Sequence, residues 1–235
     1  MKFRPISFLG AVGLLAAFLP SSLSASSVQA ISFTGVNSSD TLNNGEGPYS
    51  LGFEFSTNTA IDVTALGFFD ATLVNSSYLG LGNCSGCGEV GIYNSSGTLL
   101  VSTPTPVTTS DTQVGDFFYE TIPTTSLAAG QDYYIVAETG NADYTADVNA
   151  TGYSVDPSIA YIQDEYVVSS SLAFPTLTDG ATVTSGIFGP NFEETSATSA
   201  VPEPSSVSLL AMGLGLVAFC ATRKRLQNAK PAMGS

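Results

Sequence analysis

The sequence has no histidine and no tryptophan, only 3 cysteines in 235 residues, and very little positive charge. Its 6 lysines and arginines all sit near the ends: Lys2 and Arg4 at the start, Arg223, Lys224, Arg225 and Lys230 at the finish. Between Ile31 and Ala200 there is none, whereas 19 of the 20 acidic residues fall there, giving that stretch a formal charge of −19. These absences exclude whole classes of chemistry. Nucleic-acid binding needs cations to displace counterions from phosphates. Ser-His-Asp and Cys-His nucleophile systems need an imidazole, and a Ser-Lys system needs an amine. A phosphate-cradling Gly-Lys-Ser/Thr loop lacks its lysine, and a zinc site lacks its usual histidines or cysteine set. The apolar fraction of 43% is nevertheless enough for a packed core, and the length suits one domain or at most two.

What the sequence does contain begins with its ends. Met1–Pro5 is a short basic segment, followed by an apolar run from Ile6 to Leu19 and then small residues ending in Val28-Gln29-Ala30. This is the layout of an export leader, with cleavage expected after Ala30. At the other end stand Val201, Pro202, Glu203 and Pro204, an apolar stretch from Val207 to Ala221, then Arg223, Lys224 and Arg225. A helix of 16–18 residues would span roughly 24–27 Å, a short but adequate membrane crossing. Pro202 and Pro204 block helix entry just before it. The basic cluster should remain cytoplasmic, which places Ile31–Ala200 outside, in agreement with the leader.

These three ordered parts resemble the PEP-CTERM sorting signal of bacterial surface proteins. The resemblance implies processing by an exosortase-type enzyme near Pro202–Pro204 and a destination in the cell envelope, cell surface or extracellular matrix, after transient anchoring in the inner membrane. It implies no activity. The expected organisation is a leader at 1–30, an exported domain at 31–200, a sorting signal at 201–228 and a tail at 229–235.

The exported stretch is expected to be all-β, an antiparallel, jelly-roll-like β-sandwich of about nine strands. No part of it holds a helical period for three turns. Tyr49, Leu51, Phe53 and Phe55 alternate with Ser50, Gly52, Glu54 and Ser56, and Ile61, Val63 and Ala65 repeat the pattern. Glu89–Tyr93 and Thr98–Ser102 flank Asn94-Ser95-Ser96-Gly97, a hairpin loop. Phe117–Thr121, Tyr133–Glu138, Ser158–Ile162, Tyr166–Ser169 and Ile187–Glu193 continue the series. The segments Gly52–Phe55, Val63–Asp70, Val90–Asn94, Gly97–Leu100, Leu127–Gly130 and Phe188–Phe192 also resemble a recurrent uncharacterised domain often found before PEP-CTERM tails. That resemblance implies an all-β fold and no catalytic residue.

Candidate chemistry is sparse. Cys84 and Cys87 lie in a Gly-rich loop of an exported stretch, where a small local disulfide is a simpler reading than a redox centre. Asn141, Asp143, Asp147 and Asn149 alternate with small or apolar residues and form the best candidate calcium set, though an edge strand with one solvated face has the same pattern. Asp70 and the Asp164-Glu165 pair are weaker candidates. Tyr49, Tyr93, Tyr119, Tyr133 and Tyr134 sit in strand patterns and belong to the core, whereas Tyr78, Tyr144 and Tyr153 are candidate carbohydrate contacts. The expected function is that of a non-enzymatic surface or matrix protein binding exopolysaccharide. A purely structural acidic coat and a carboxylate-based glycoside hydrolase are the alternatives.

Overall fold

The computed structural model describes residues 26–33, 41–42, 47–146, 154–178 and 187–196. Among the described residues sixteen strands run in the order β1 (Val28–Gln29), β2 (Ile31–Ser32), β3 (Thr41–Leu42), β4 (Tyr49–Thr57), β5 (Ile61–Phe69), β6 (Val90–Asn94), β7 (Leu99–Ser102), β8 (Thr112–Val114), β9 (Phe117–Leu127), β10 (Asp132–Glu138), β11 (Tyr144–Ala146), β12 (Ser154–Val155), β13 (Ile159–Val168), β14 (Leu177–Thr178), β15 (Ile187–Phe188) and β16 (Pro190–Ser196). A 3-10 turn, Ala71–Leu73, follows β5. Five strands make one sheet in the order β1-β16-β5-β9-β8, and six make the other in the order β14-β13-β4-β10-β6-β7. Two small sheets, β15-β11-β3 and β12-β2, complete the set, and every pairing in the four sheets is antiparallel.

The all-β expectation is met, with more strands than nine because the added ones are two or three residues long. Segments of that length carry no readable period. The two expected strands Ser158–Ile162 and Tyr166–Ser169 are instead one strand, β13. Its register against β4 shifts between Tyr161 and Gln163, which leaves Ile162 as the extra residue, 41% exposed. A bulge of this kind turns a side chain outward and interrupts the alternation that sequence patterns rely on.

The two large sheets pack face to face in a β-sandwich-like arrangement. Phe53 and Phe55 of β4, with Ile135 of β10, enter a shared core with Leu66 and Phe68 of β5 and Phe192 of β16. The rings of Phe55 and Phe192 bridge the sheets at 5.0 Å between centroids. Each such fully buried side chain contributes about 1.5–3 kcal/mol. The other face of β5 is covered too: Ala65 and Phe69 join Ala71, Phe117 and Tyr119 in a second cluster. Burial on both faces is why Ala65–Phe69 reads as a continuous apolar run and not as an alternation.

Topology gives the sandwich two poles. β16 runs from Pro190, beside Phe68, to Ser196, beside Ile61. β1 runs antiparallel to it, with Val28 opposite Glu194, so Ser27 and Ser196 leave the sheet at the same pole. The turn between β4 and β5 is also there. The opposite pole carries residues 70–88, 103–111, 139–143 and 169–171.

Among the described residues no helix is long and apolar enough to cross a membrane. The leader run Ile6–Leu19 and the expected spanning segment Val207–Ala221 lie outside them. The boundary expected between Ala30 and Ile31 falls inside the sandwich. Both residues are 0% exposed; Ala30 joins β1 to β2, and Ile31 opens β2.

Candidate functional site

The pole away from Ser27 and Ser196 is built from loops, and polar side chains, two of them buried, hold those loops in place. Asp70 ends β5 with 1% exposure, caps the 3-10 turn and accepts hydrogen bonds from Thr72 N–H (3.0 Å) and Thr72 Oγ1–H (2.9 Å). Gly80 passes so near that a Cβ there would meet Asp70 Oδ1 at 1.6 Å. Leu79 N–H donates to Asp143 Oδ2 (2.8 Å), and Asp143 N–H donates back to Leu79 O (2.7 Å). Ser85 N–H donates to Asn141 Oδ1 (2.7 Å). The loop carrying Cys84 and Cys87 is further fixed by Gly88 N–H to Glu138 O (3.0 Å) and Val107 N–H to Gly88 O (2.8 Å). Gly140, at φ 52°, lies under this loop, where a Cβ would stand 2.2 Å from Ser85 O. Cys84 and Cys87 form a close pair with Cα atoms 6.2 Å apart.

Of the four candidate calcium ligands, Asn141 and Asp143 are therefore brought to this pole, each with a side-chain oxygen accepting a backbone N–H. Asp147 and Asn149 lie outside the described residues. Among the described residues no group of three or more His, Cys, Asp or Glu side chains is arranged to hold a metal ion. Asp143→Ala should leave Leu79 N–H without its acceptor, costing about 1–3 kcal/mol. The 75–83 loop should then be cut by protease below the melting temperature, in EDTA as in calcium. Asp143→Asn, which keeps an acceptor oxygen, should restore most of the resistance. If Asp143→Ala matched the parent protein in EDTA, the loop-holding role would be wrong.

Between these loops opens a cleft of ≈ 390 Å³, lined by Pro48, Ser85, Gly86, Glu138, Asn141 and Ser170 among others. Burial pushes the Glu138 carboxyl up from its ordinary value, and repulsion from Glu89 adds to the rise. Nothing in the sequence pattern marks this cleft. It exists because the chain after β5, the loop after β10 and the segments flanking β4 and β13 converge at one pole.

The other candidates are dispersed. Asp164 is 2% exposed and receives a hydrogen bond from the Tyr161 hydroxyl, while Glu165 accepts from Gln163 Nε2 (2.7 Å). Tyr78 is half-buried and packs against the Phe69–Phe117 cluster. The Tyr144 backbone lies in β11, beside Leu42, and Tyr153 lies outside the described residues. Tyr93, Tyr119 and Tyr133 are in the core as expected. Tyr134 is half-buried, donates to Glu54 Oε1 (2.8 Å) and packs edge-on against Phe174 at 5.0 Å. Tyr49 is half-buried as well.

The tail decides the address. Residues 200–225 match the PEP-CTERM protein-sorting motif. That stretch contains Val201, Pro202, Glu203, Pro204, Arg223, Lys224 and Arg225, so the expected motif residues all fall within the match. No curated protein matches the chain, and no solved structure does either. A PEP-CTERM motif marks an exported protein sorted by an exosortase-type system to the cell envelope or surface.

Proposed function

We propose that the protein is a non-enzymatic component of the cell surface or extracellular matrix, which holds exopolysaccharide at the pole opposite Ser27 and Ser196. The observation that carries this reading is topological. β1 begins and β16 ends at one pole of the sandwich, and the 139–143 cleft lies at the other. Oxygen and amide groups of Ser85, Glu138, Asn141 and Ser170 suit the hydroxyls of a neutral glycan, and Tyr78 lies on the same set of loops. A Cys84–Cys87 disulfide would brace one wall of the cleft. The lack of any imidazole or amine between Ile31 and Ala200 supports binding over turnover.

The test uses the processed protein purified from its own envelope fraction, run over the host's exopolysaccharide immobilised on a column, first in calcium and then in EDTA. Retention that falls on Glu138→Ala is expected. Loss of retention in EDTA would add calcium as a bridging ion. Passage without retention in either buffer would end the glycan reading and leave an acidic coat held soluble by self-repulsion. Release of sugar fragments during the run would mean a carboxylate-based hydrolase instead.

A further inference from the structure

Val28-Gln29-Ala30 has the small-x-small form of a leader-cleavage site, yet all three residues are built into the sandwich. Val28 and Gln29 pair with Glu194 and Glu193 as the outermost strand of the five-stranded sheet. Gln29 Nε2 donates to the buried Tyr119 hydroxyl (2.8 Å) and to Val114 O (3.1 Å), tying β1 across to β8 and β9. Ala30 is 0% exposed, its N–H donates to Phe192 O (2.9 Å) and its carbonyl accepts from Asp156 N–H (2.9 Å). Ile31 is equally buried, with its N–H on Asn191 Oδ1 (3.1 Å).

Cleavage after Ala30 would add water across that peptide bond, leaving a carboxylate on the departing leader and an ammonium on Ile31. Three consequences follow within the folded domain. β16 would become the sheet edge, with an unpaired row of backbone groups beside Glu193 and Glu194. The buried Tyr119 hydroxyl and the half-buried Asp156 N–H would lose hydrogen-bond partners. An α-amine with an ordinary pKa of about 7.7–8.0 would carry its charge at a position with no exposure.

We infer that the leader is removed upstream of Val28, and that the mature protein keeps β1. The sequence provides for this: Ser24, Ala25, Ser26 and Ser27 supply small residues in every register ahead of the strand, for instance Ser24-Ala25-Ser26 and Ala25-Ser26-Ser27. The inference rests on the export-leader reading and is independent of any glycan. In keeping with this, Ser27, the last residue before β1, is exposed and makes surface contacts to Glu193 Oε2 (3.3 Å) and Thr64 Oγ1 (3.5 Å).

The experiment is N-terminal sequencing, with intact mass, of the full chain expressed in a host that exports it and recovered from outside the cytoplasmic membrane. A first residue at or before Val28, with the apolar run Ile6–Leu19 gone, is expected. A first residue at Gln29 or later overturns the inference, because β1 is then cut. A retained Met1 overturns it differently, by showing that no leader is removed; mass alone separates the two failures.

Discussion

Phe55→Ala should destabilise the protein by about 3–5 kcal/mol, the range for emptying a buried phenylalanine site. The side chain is 0% exposed and its ring lies 5.0 Å from Phe192, 5.9 Å from Tyr133 and 6.0 Å from Phe53. Phe192 belongs to the five-stranded sheet and the other two rings to the six-stranded one, so the substitution removes packing across the sandwich as well as within a sheet. Neighbouring strands are held by their ladders and can close the gap only partly. For a domain of this size each kcal/mol moves the melting temperature by about 2–4 °C, so a fall of more than about 6 °C is expected by circular dichroism. Leu100→Ala provides the control. Leu100 lies on edge strand β7 with 41% exposure, and its loss should stay within about 0.5 kcal/mol. Equal effects from the two substitutions would show that the sheets do not share the core described above.

The strands that build that core were legible because burial on one face and solvent on the other writes itself as period two. Tyr49–Thr57 is the clearest case. The hairpin after it in the series was legible for a local reason: Asn94 Oδ1 accepts from Ser96 N–H (3.1 Å) and Thr98 N–H (2.9 Å), and Gly97 supplies a φ of 79°. Each of those interactions spans four residues or fewer. What escaped the sequence depends on partners far along the chain. β1 looks like a processing site because its pairing partner is Glu193–Glu194, more than 160 residues away, while its three-residue small-x-small pattern is entirely local. Asn141 and Asp143 accept Ser85 N–H and Leu79 N–H across 56 and 64 residues of chain, contacts that no local pattern shows. The cleft beside them was invisible for the same reason, since it is made by loops that meet only after the sheets have formed.

The charge pattern was fully legible, and it makes the protein's response to pH unusual. Most proteins lose stability in mild acid because native carboxylates are paired and hold their protons weakly. Here no lysine, arginine or histidine lies between Ile31 and Ala200 to pair with them. Burial instead raises the carboxyls of Glu194, Glu138 and Asp116 above their ordinary values, and repulsion from Asp156 and Glu89 lifts the first two further; the hydrogen bond from Ser158 to Glu194 pulls the other way. A raised value means that the folded chain binds more protons than the unfolded one, so unfolding free energy rises as pH falls. The gain begins as pH descends through the raised folded-state values and is complete below the unfolded carboxylate range, about 3.9–4.3. General repulsion among 19 negative charges adds to the trend, and at 0.1 M salt its reach is cut to about 10 Å. The melting temperature should therefore be higher at about pH 4.5, near the unfolded carboxylate range, than at about pH 7.5, and sodium chloride at neutral pH should recover part of the difference. Glu194→Gln, which keeps an amide oxygen toward Ser158 without the charge, should raise stability at pH 7.5 and flatten the dependence on pH. A melting temperature that falls between about pH 7.5 and about pH 4.5 would mean that other carboxylates hold their protons less tightly in the folded chain than in the unfolded one, and that Glu194, Glu138 and Asp116 do not set the stability of this sandwich.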